Sequence, residues 1–282
     1  MTEGRYCGAV ELAYTVLGDS SEDPVLLLPG LTASRTSWSA IIQELSQLYR
    51  VYAVDLRGHG ESGHSLPHGY VLDQYVADTN SFCADVVQSP VALVGHSLGG
   101  VIAFEVARAR PRLVRAVVLI DPPLFRGGGQ GSFTPPFEDL QALLRDLRAR
   151  AAGLHEYESI FGSLPIPAST STRTAAEALG RDGLRQLALA QASLDPEVLT
   201  PAIGATLFTG AHPDVALDRP LLVLRADPES GSAAFSDADV ARLRRNNPAA
   251  VVETLSGSGH AALTDAAQQV TGHVARFLST VC

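Results

Sequence analysis

The sequence predicts an α/β fold in which a mostly parallel, doubly wound sheet is flanked by helices and interrupted by a helical insertion. Short, nearly unbroken Val/Leu/Ile runs suit strands buried on both faces of a parallel sheet. They alternate with segments of helical periodicity, which is the pattern of a doubly wound fold. One interval, from Pro122 to about Ala216, breaks the rhythm and holds no convincing strand. It is far longer than an ordinary crossover.

The elements follow in order. ELAYTVL (11–17) opens the series, with VLLL (25–28) and VYAVD (51–55) after it and SWSAIIQELSQL as the helix between the last two. LDQYVADTNSFCADVV is the helix that leads to VALV (91–94), and GVIAFEVARAR joins that strand to VRAVVLI (114–120). The long interval contains Gly/Pro-rich stretches, RGGGQGSFTPP and FGSLPIPASTSTRT. Between and after them lie helical pieces, FEDLQALLRDLRARAAGL, AAEALGRDGLRQLALAQASL and DPEVLTPAIGATLFTG. Strands resume with LLVLR (221–225) and AVVETL (250–255), separated by the helix DADVARLRRN and followed by TDAAQQVTGHVARFLS. The expected division is a core of residues 1–122 and 216–282 with a helical cap of residues 123–215.

The 282 residues, 46% hydrophobic and 18% charged, suffice for one sizeable core with an insertion. A net charge of -9 without Lys/Arg runs argues against nucleic acid and anionic membrane surfaces as partners. Cys7, Cys83 and Cys282 are scattered without metal spacing, which fits a reducing compartment. No basic-then-apolar leader opens the chain, and no run of about 20 apolar residues occurs. The expectation is a cytoplasmic protein that takes a small molecule.

The stretch VALVGHSLGG carries the chemistry. Gly95-His96-Ser97-Leu98-Gly99 reads G-x-S-x-G between a strand and a helix, the setting in which a serine projects its hydroxyl from a sharp turn. The turn puts the Leu98 N–H at a helix start, where an oxyanion is favoured. A serine needs a base. His59, His64 and His68 lie in the polar loop RGHGESGHSLPHG, His155 and His212 in the insertion, and His273 on the last helix. His96, beside the serine, is expected to point away from it. His260 in SGSGHAAL remains, in a loop after the last strand that can reach a serine on a central one. A second oxyanion N–H is offered by Leu31 in LLLPGLTASRTSW, where Gly30 allows the turn.

This sequence resembles the α/β-hydrolase superfamily in its capped form. LLLPGLTASRTSW, VDLRGHGES, VALVGHSLGG, VRAVVLIDPPL, RPLLVLRADPE and SGSGHAAL match in the family's order. The resemblance implies an eight-stranded sheet, Ser97 as nucleophile, His260 as base, and the Leu31 and Leu98 amides as oxyanion donors. One departure is Pro29, where the family usually carries a histidine that braces the loop. The family's acid follows either the strand before the cap or the strand after it, so Asp121, Asp227 and Glu229 all remain open. Gly30, His96, Phe125 and Phe161 are candidates for the substrate pocket. Phe125, Phe133, Tyr157, Phe161 and Phe208 serve equally as the cap's own core.

His59, Glu61, His64 and His68 lack rigid spacing and are read as loop residues, not metal ligands. No cofactor is implied, because triad chemistry needs none and no phosphate-binding glycine loop follows the first strands. The expected activity is hydrolysis of a small, largely apolar ester, lactone or thioester. Carbon–carbon hydrolase, lyase or cyclase chemistry on the same triad, or a ligand-binding pseudo-hydrolase, are the alternatives. Epoxide hydrolase and haloalkane dehalogenase chemistry is disfavoured, since those relatives carry Asp at the position of Ser97.

Overall fold

A computed structural model of the chain describes residues 1–125 and 136–281. Its strands are β1 (Thr2–Cys7), β2 (Glu11–Leu17), β3 (Pro24–Leu28), β4 (Arg50–Val54), β5 (Val91–His96), β6 (Val114–Ile120), β7 (Leu221–Ala226) and β8 (Val251–Leu255). The helices are α1 (Ser39–Leu45), α2 (Leu72–Phe82), α3 (Leu98–Ala109), α4 (Phe137–Ala149), α5 (Leu154–Ser163), α6 (Ala175–Ser193), α7 (Thr200–Ile203), α8 (Asp237–Asn246), α9 (Ala262–Asp265) and α10 (Ala267–Val281). The strands form one eight-stranded sheet in the order β1-β2-β4-β3-β5-β6-β7-β8. From β4 to β8 every pairing is parallel; β1 and β2 join antiparallel at one edge.

The apolar runs become strands because each must bury both faces. Leu26 and Leu28 of β3 and Val91 and Leu93 of β5 point into one core layer, while Val25, Leu27, Ala92 and Val94 point into the other. That is the two-residue period of a strand covered on both sides. α1 and α10 cover the second layer through Ile41, Ile42, Leu45, Val270, Val274 and Leu278. α2 and α3 cover the first. Truncating such a fully buried leucine costs about 2–5 kcal/mol.

β1 is the strand the apolar-run criterion misses. TEGRYC alternates exposed and half-buried residues, as an antiparallel edge strand with one solvated face does. Between β6 and β7 the described residues hold α4 to α7 and a single isolated bridge, Pro165 to Thr174. α6 starts at a capping box, Thr174 with Glu177, and is broken at Gly180, whose φ of 64° leaves the helical region. α5 is a helix that the sequence pattern does not set apart, since it joins the tail of one helical piece to the start of a Gly/Pro-rich stretch.

The strand order fixes where a ligand can sit. β4 lies on one side of β3 and β5 on the other, so the chain reverses direction of travel between β3 and β5. A crevice at the carboxyl ends of those strands is the general binding position of open α/β sheets. The loops after β3 and β5 are the ones that carry Gly30-Leu31 and Ser97.

Candidate active site

Ser97 sits at the tight turn from β5 into α3, with φ 53° and ψ −117°. A non-glycine residue there costs about 1–3 kcal/mol, which the packing around it must offset. The turn closes so tightly that its flanks tolerate no side chain. A Cβ on Gly95 would lie 2.1 Å from the Gly99 carbonyl oxygen, and one on Gly99 would lie 2.1 Å from that of Leu28. The Ser97 amide donates to the Ile120 carbonyl at 2.9 Å, which ties the turn to β6.

His260, from the loop after β8, reaches the serine. Its Nε2 lies 2.9 Å from Ser97 Oγ and its Nδ1 lies 2.6 Å from Asp121 Oδ2. Asp121 directly follows β6 with φ 42° and is fully buried. Its carboxylate also accepts the amides of Ala234 at 2.7 Å, Phe235 at 3.1 Å and Ala226 at 3.2 Å. Burial acts to raise its pKa. The hydrogen bond and charge of His260, with the Ala234 and Ala226 amides, outweigh that and hold it below the usual carboxylate value. An ionised Asp121 accepts a hydrogen bond from Nδ1–H and so keeps the proton on that nitrogen, which leaves Nε2 as the acceptor facing Ser97.

Two carboxylates that the sequence leaves open as the acid lie elsewhere. Asp227 caps its own turn, accepting the amides of Glu229 at 3.0 Å and Gly257 at 2.9 Å. Those amides hold its pKa low. Glu229 is exposed in the same turn. Asp227 is therefore a turn-capping residue, and the His260 ring meets Asp121 instead.

The loop after β3 closes against the serine. A Cβ on Gly30 would be 3.4 Å from Ser97 Cβ. The Leu31 amide follows, and the Leu98 amide heads α3. Neither amide meets a backbone acceptor among the described residues. The loop is braced from behind: fully buried His59 has Nε2 2.9 Å from the Leu31 carbonyl and Nδ1 2.8 Å from that of Arg57. Burial pushes the His59 pKa down, against the pull of those carbonyls. The Arg35 amide donates to Asp55 at 2.6 Å, and its guanidinium pairs with the same carboxylate. Gln191 of α6 donates to the Thr32 carbonyl at 2.9 Å.

Two histidines make contacts that the sequence does not show. The sequence places His59 in a polar loop, where the family resemblance implies a structural turn; it is a buried brace of the Leu31 turn. Its neighbours in that loop do stay at the surface: Glu61 pairs with Arg35 at 3.0 Å, and His64 faces Asp195 at 3.5 Å. His96 does not point away from the chemistry. Its Nε2 lies 2.8 Å from the His260 carbonyl, and its ring centroid lies 5.1 Å from the His260 ring. Burial, with the neighbouring His260, pushes the His96 pKa down to about 4. It is then neutral at pH 7 with the proton on Nε2, the nitrogen that faces a carbonyl.

Phe125 packs against Phe235, with centroids 6.1 Å apart, beneath the Arg242 guanidinium at 4.5 Å. Phe161 stacks on Tyr157 at 6.2 Å. Both are packing residues of the insertion and its seam with the core. Phe133 lies outside the described residues. The sequence offers His96 as a pocket candidate and His59 as a loop residue but not the contacts of either, which depend on which carbonyl a folded loop presents to the ring.

A parallel-centred sheet of this strand order, with a strained serine turn after β5, defines the α/β-hydrolase class of enzymes. The chain belongs to the alpha/beta hydrolase family, whose model matches residues 25–272. Among curated relatives, "Ethanol acetyltransferase 1" of Cyberlindnera fabianii is 35% identical over 36% of this chain and 30% of its own length. "Epoxide hydrolase 4" of Mus musculus is 33% identical over 39% of this chain and 31% of its own length. The matches thus span about a third of these relatives. A crystal structure of an N-formylmaleamic acid deformylase from Pseudomonas putida S16 superposes with a TM-score of 0.78 at 19% identity, covering 97% of this chain and 100% of that one. At that identity the likeness is one of fold. Among the described residues no helix is long and apolar enough to cross a membrane.

Proposed function

We propose that this α/β-hydrolase enzyme is a serine hydrolase that cleaves a small, largely apolar ester, lactone or thioester through an acyl-enzyme. The observation that carries the reading is the continuous hydrogen-bond chain from Ser97 Oγ through His260 to Asp121, 2.9 and 2.6 Å. His260 Nε2 takes the hydroxyl proton as Ser97 Oγ attacks the carbonyl carbon. Asp121 holds the Nδ1 proton and stabilises the imidazolium. The oxyanion is received by the Leu31 and Leu98 amides, each worth about 3 kcal/mol to the transition state. The tetrahedral adduct collapses, and the leaving alcohol or thiol takes the proton from His260. Water, deprotonated by the same nitrogen, then attacks the acyl-enzyme and restores Ser97.

The apolar preference is supported by what packs beside the site. Leu31, Leu98 and Leu124 belong to the same buried cluster as Leu144, Leu147, Tyr157, Phe161 and Ala188 of α4 to α6. The insertion thus shares an apolar core with the Leu31 and Leu98 turns, which supports reading it as a cap over Ser97. Such apolar surroundings favour a small apolar acyl group. Epoxide hydrolase chemistry is disfavoured by the serine at position 97. The resemblance to an acetyltransferase supports an acyl-enzyme, with an alcohol as a competing acceptor.

The test is intact mass after incubation with a small fluorophosphonate, beside Ser97→Ala. One adduct on the native protein and none on the variant is expected. Acyl esters, thioesters and lactones are then profiled by product mass, in water and with added ethanol. A folded native protein that takes no adduct refutes the reading and favours a ligand-binding pseudo-hydrolase. If the native protein takes the adduct but, unlabelled, converts substrate to a product that carries no added water, lyase or cyclase chemistry is favoured.

A further inference from the structure

His260 stands on a loop, residues 256–261, and a loop holds a base on a nucleophile only as well as its own backbone is held. The core holds part of it. The Asp227 amide donates to the Ser258 carbonyl at 2.8 Å, and His96 takes the His260 carbonyl. The flanking residues are held from the cap. The segment joining α5 to α6, pinched by the Pro165–Thr174 bridge, lies across this loop like a strap. The Ala261 amide donates to the Ala168 carbonyl at 3.2 Å, and Thr170 Oγ1 donates to the Gly257 carbonyl at 2.9 Å. The approach is backbone to backbone: a Cβ on Gly259 would lie 2.1 Å from the Ala168 oxygen.

One side chain joins strap and loop. Asp265, at the end of α9, accepts the Gly259 amide at 2.9 Å. The same carboxylate accepts the Ser169 hydroxyl and, at 3.1 Å, the Thr170 amide. A single half-buried carboxylate thus grips the residue immediately before His260 and two consecutive residues of the strap. The geometry points to Asp265 as a positioning residue, through which the cap strap at Ser169 and Thr170 fixes His260 on Ser97. The cap is then part of the catalytic frame as well as its cover. This rests on the reading of Ser97 as the nucleophile.

The test uses the full chain and a small fluorophosphonate, with intact mass giving the labelling rate and the final labelled fraction separately. Asp265→Ala slows labelling about tenfold and Ser169→Ala about threefold, the scale expected when a reacting group is displaced by a fraction of an ångström. Both reach full labelling. The double variant is no slower than Asp265→Ala, because both changes cut one connection. Asp265→Asn, which keeps an oxygen for the amides and a donor for Ser169, recovers to within about twofold of native. Native rates in Asp265→Ala and Ser169→Ala overturn the inference. So does a reduced labelled fraction at native rate, which is loss of stability alone, or a double variant slowed by the product of the singles. If Asp265→Ala does not fold, Ser169→Ala decides, and a native rate there overturns it. No labelling of the native protein overturns the Ser97 reading and this inference together; native labelling with unaffected variants overturns only this one.

Discussion

Replacing Asp121 with asparagine removes one proton acceptor from a carboxylate surrounded entirely by donors. Oδ2 accepts His260 Nδ1 and the Ala234 amide; Oδ1 accepts the amides of Ala226 and Phe235. The amide group introduced by Asp121→Asn must therefore face N–H groups whichever way it turns. If its oxygen stays with Ala226 and Phe235, the NH2 faces His260, and the imidazole must turn its lone pair to Nδ1. Nε2 then carries the proton and cannot accept one from Ser97. If its oxygen faces His260, the tautomer survives, but two backbone amides meet an NH2 and the imidazolium loses its counter-charge. The first arrangement costs about 10³–10⁴ in kcat, or ~4–5.5 kcal/mol at 1.36 kcal/mol per decade. Either leaves a buried donor unpaired, at about 1–3 kcal/mol of stability. The assay is acyl-ester turnover and fluorophosphonate labelling, with a thermal melt to establish that the variant is folded at the assay temperature. Asp227→Asn and Glu229→Gln, made alongside, should keep activity to within about threefold, since they touch a turn and not the base. Native turnover in folded Asp121→Asn, or its loss in Asp227→Asn or Glu229→Gln, would refute the assignment.

Further outcomes follow from the same contacts. His96, with its pKa lowered from 6.5 to about 4, stays neutral in the folded protein where the unfolded chain would be protonated. The unfolded state binds more protons in that window, so stability falls as pH drops from 6.5 towards 4. Asp121 acts in the same direction, its share being present at neutral pH and lost as pH falls through its lowered folded value. Urea titrations from about pH 7 down to about pH 4 should record this fall, and His96→Gln, which retains an N–H for the His260 carbonyl, should flatten it. An unchanged slope in that variant would rule His96 out as the source. His59→Phe removes the ring whose nitrogens face the Leu31 and Arg57 carbonyls, and with it the one N–H that a neutral imidazole donates there. It should lower kcat about tenfold to a hundredfold with little change in KM, because the oxyanion site is used only in the transition state. Unchanged kcat in a folded variant would show that the Leu31 turn holds without this brace.

What the sequence made legible follows from how locally each feature is encoded. β3, β5, β6 and β7 stand out as apolar runs because both their faces are buried. β1 does not, since Glu3 and Arg5 alternate with other residues on a solvated edge. The Ser97 turn is legible because the close approaches at Gly95 and Gly99 demand glycine at fixed spacing. Which carboxylate meets His260 is not legible from spacing. Asp121 and Asp227 each directly follow a strand, and the Asp-Pro-Glu turn after β7 is as good a local signal as Asp121 after β6. Only the path of the His260 loop between the two separates them. The contacts of His59 and His96 are hidden for the same reason. Each holds a carbonyl far away in the chain, 28 residues off for His59 and 164 for His96.

Residues of α6 and of the segment before it hold both sides of the candidate site. On the oxyanion side Gln191 of α6 holds the Thr32 carbonyl, next to Leu31. On the base side the strap holds Gly257, Ala261 and, through Asp265, Gly259. A substrate that lifts the cap must therefore loosen the frame that performs the chemistry. Each further methylene on an acyl chain adds about 0.8 kcal/mol of apolar burial, roughly fourfold in affinity, for as long as it fits beneath the cap. Across a series of straight-chain acyl esters, KM should fall by steps of that order while kcat stays level. At the length where α6 or the strap must move, kcat should drop first, with KM still low, because binding is retained while His260 and the Leu31 turn lose register. A cap that is only a cover gives the opposite order: KM rises at that length and kcat holds. A constant kcat through the whole series, with KM alone turning upward, would separate the cap from catalysis.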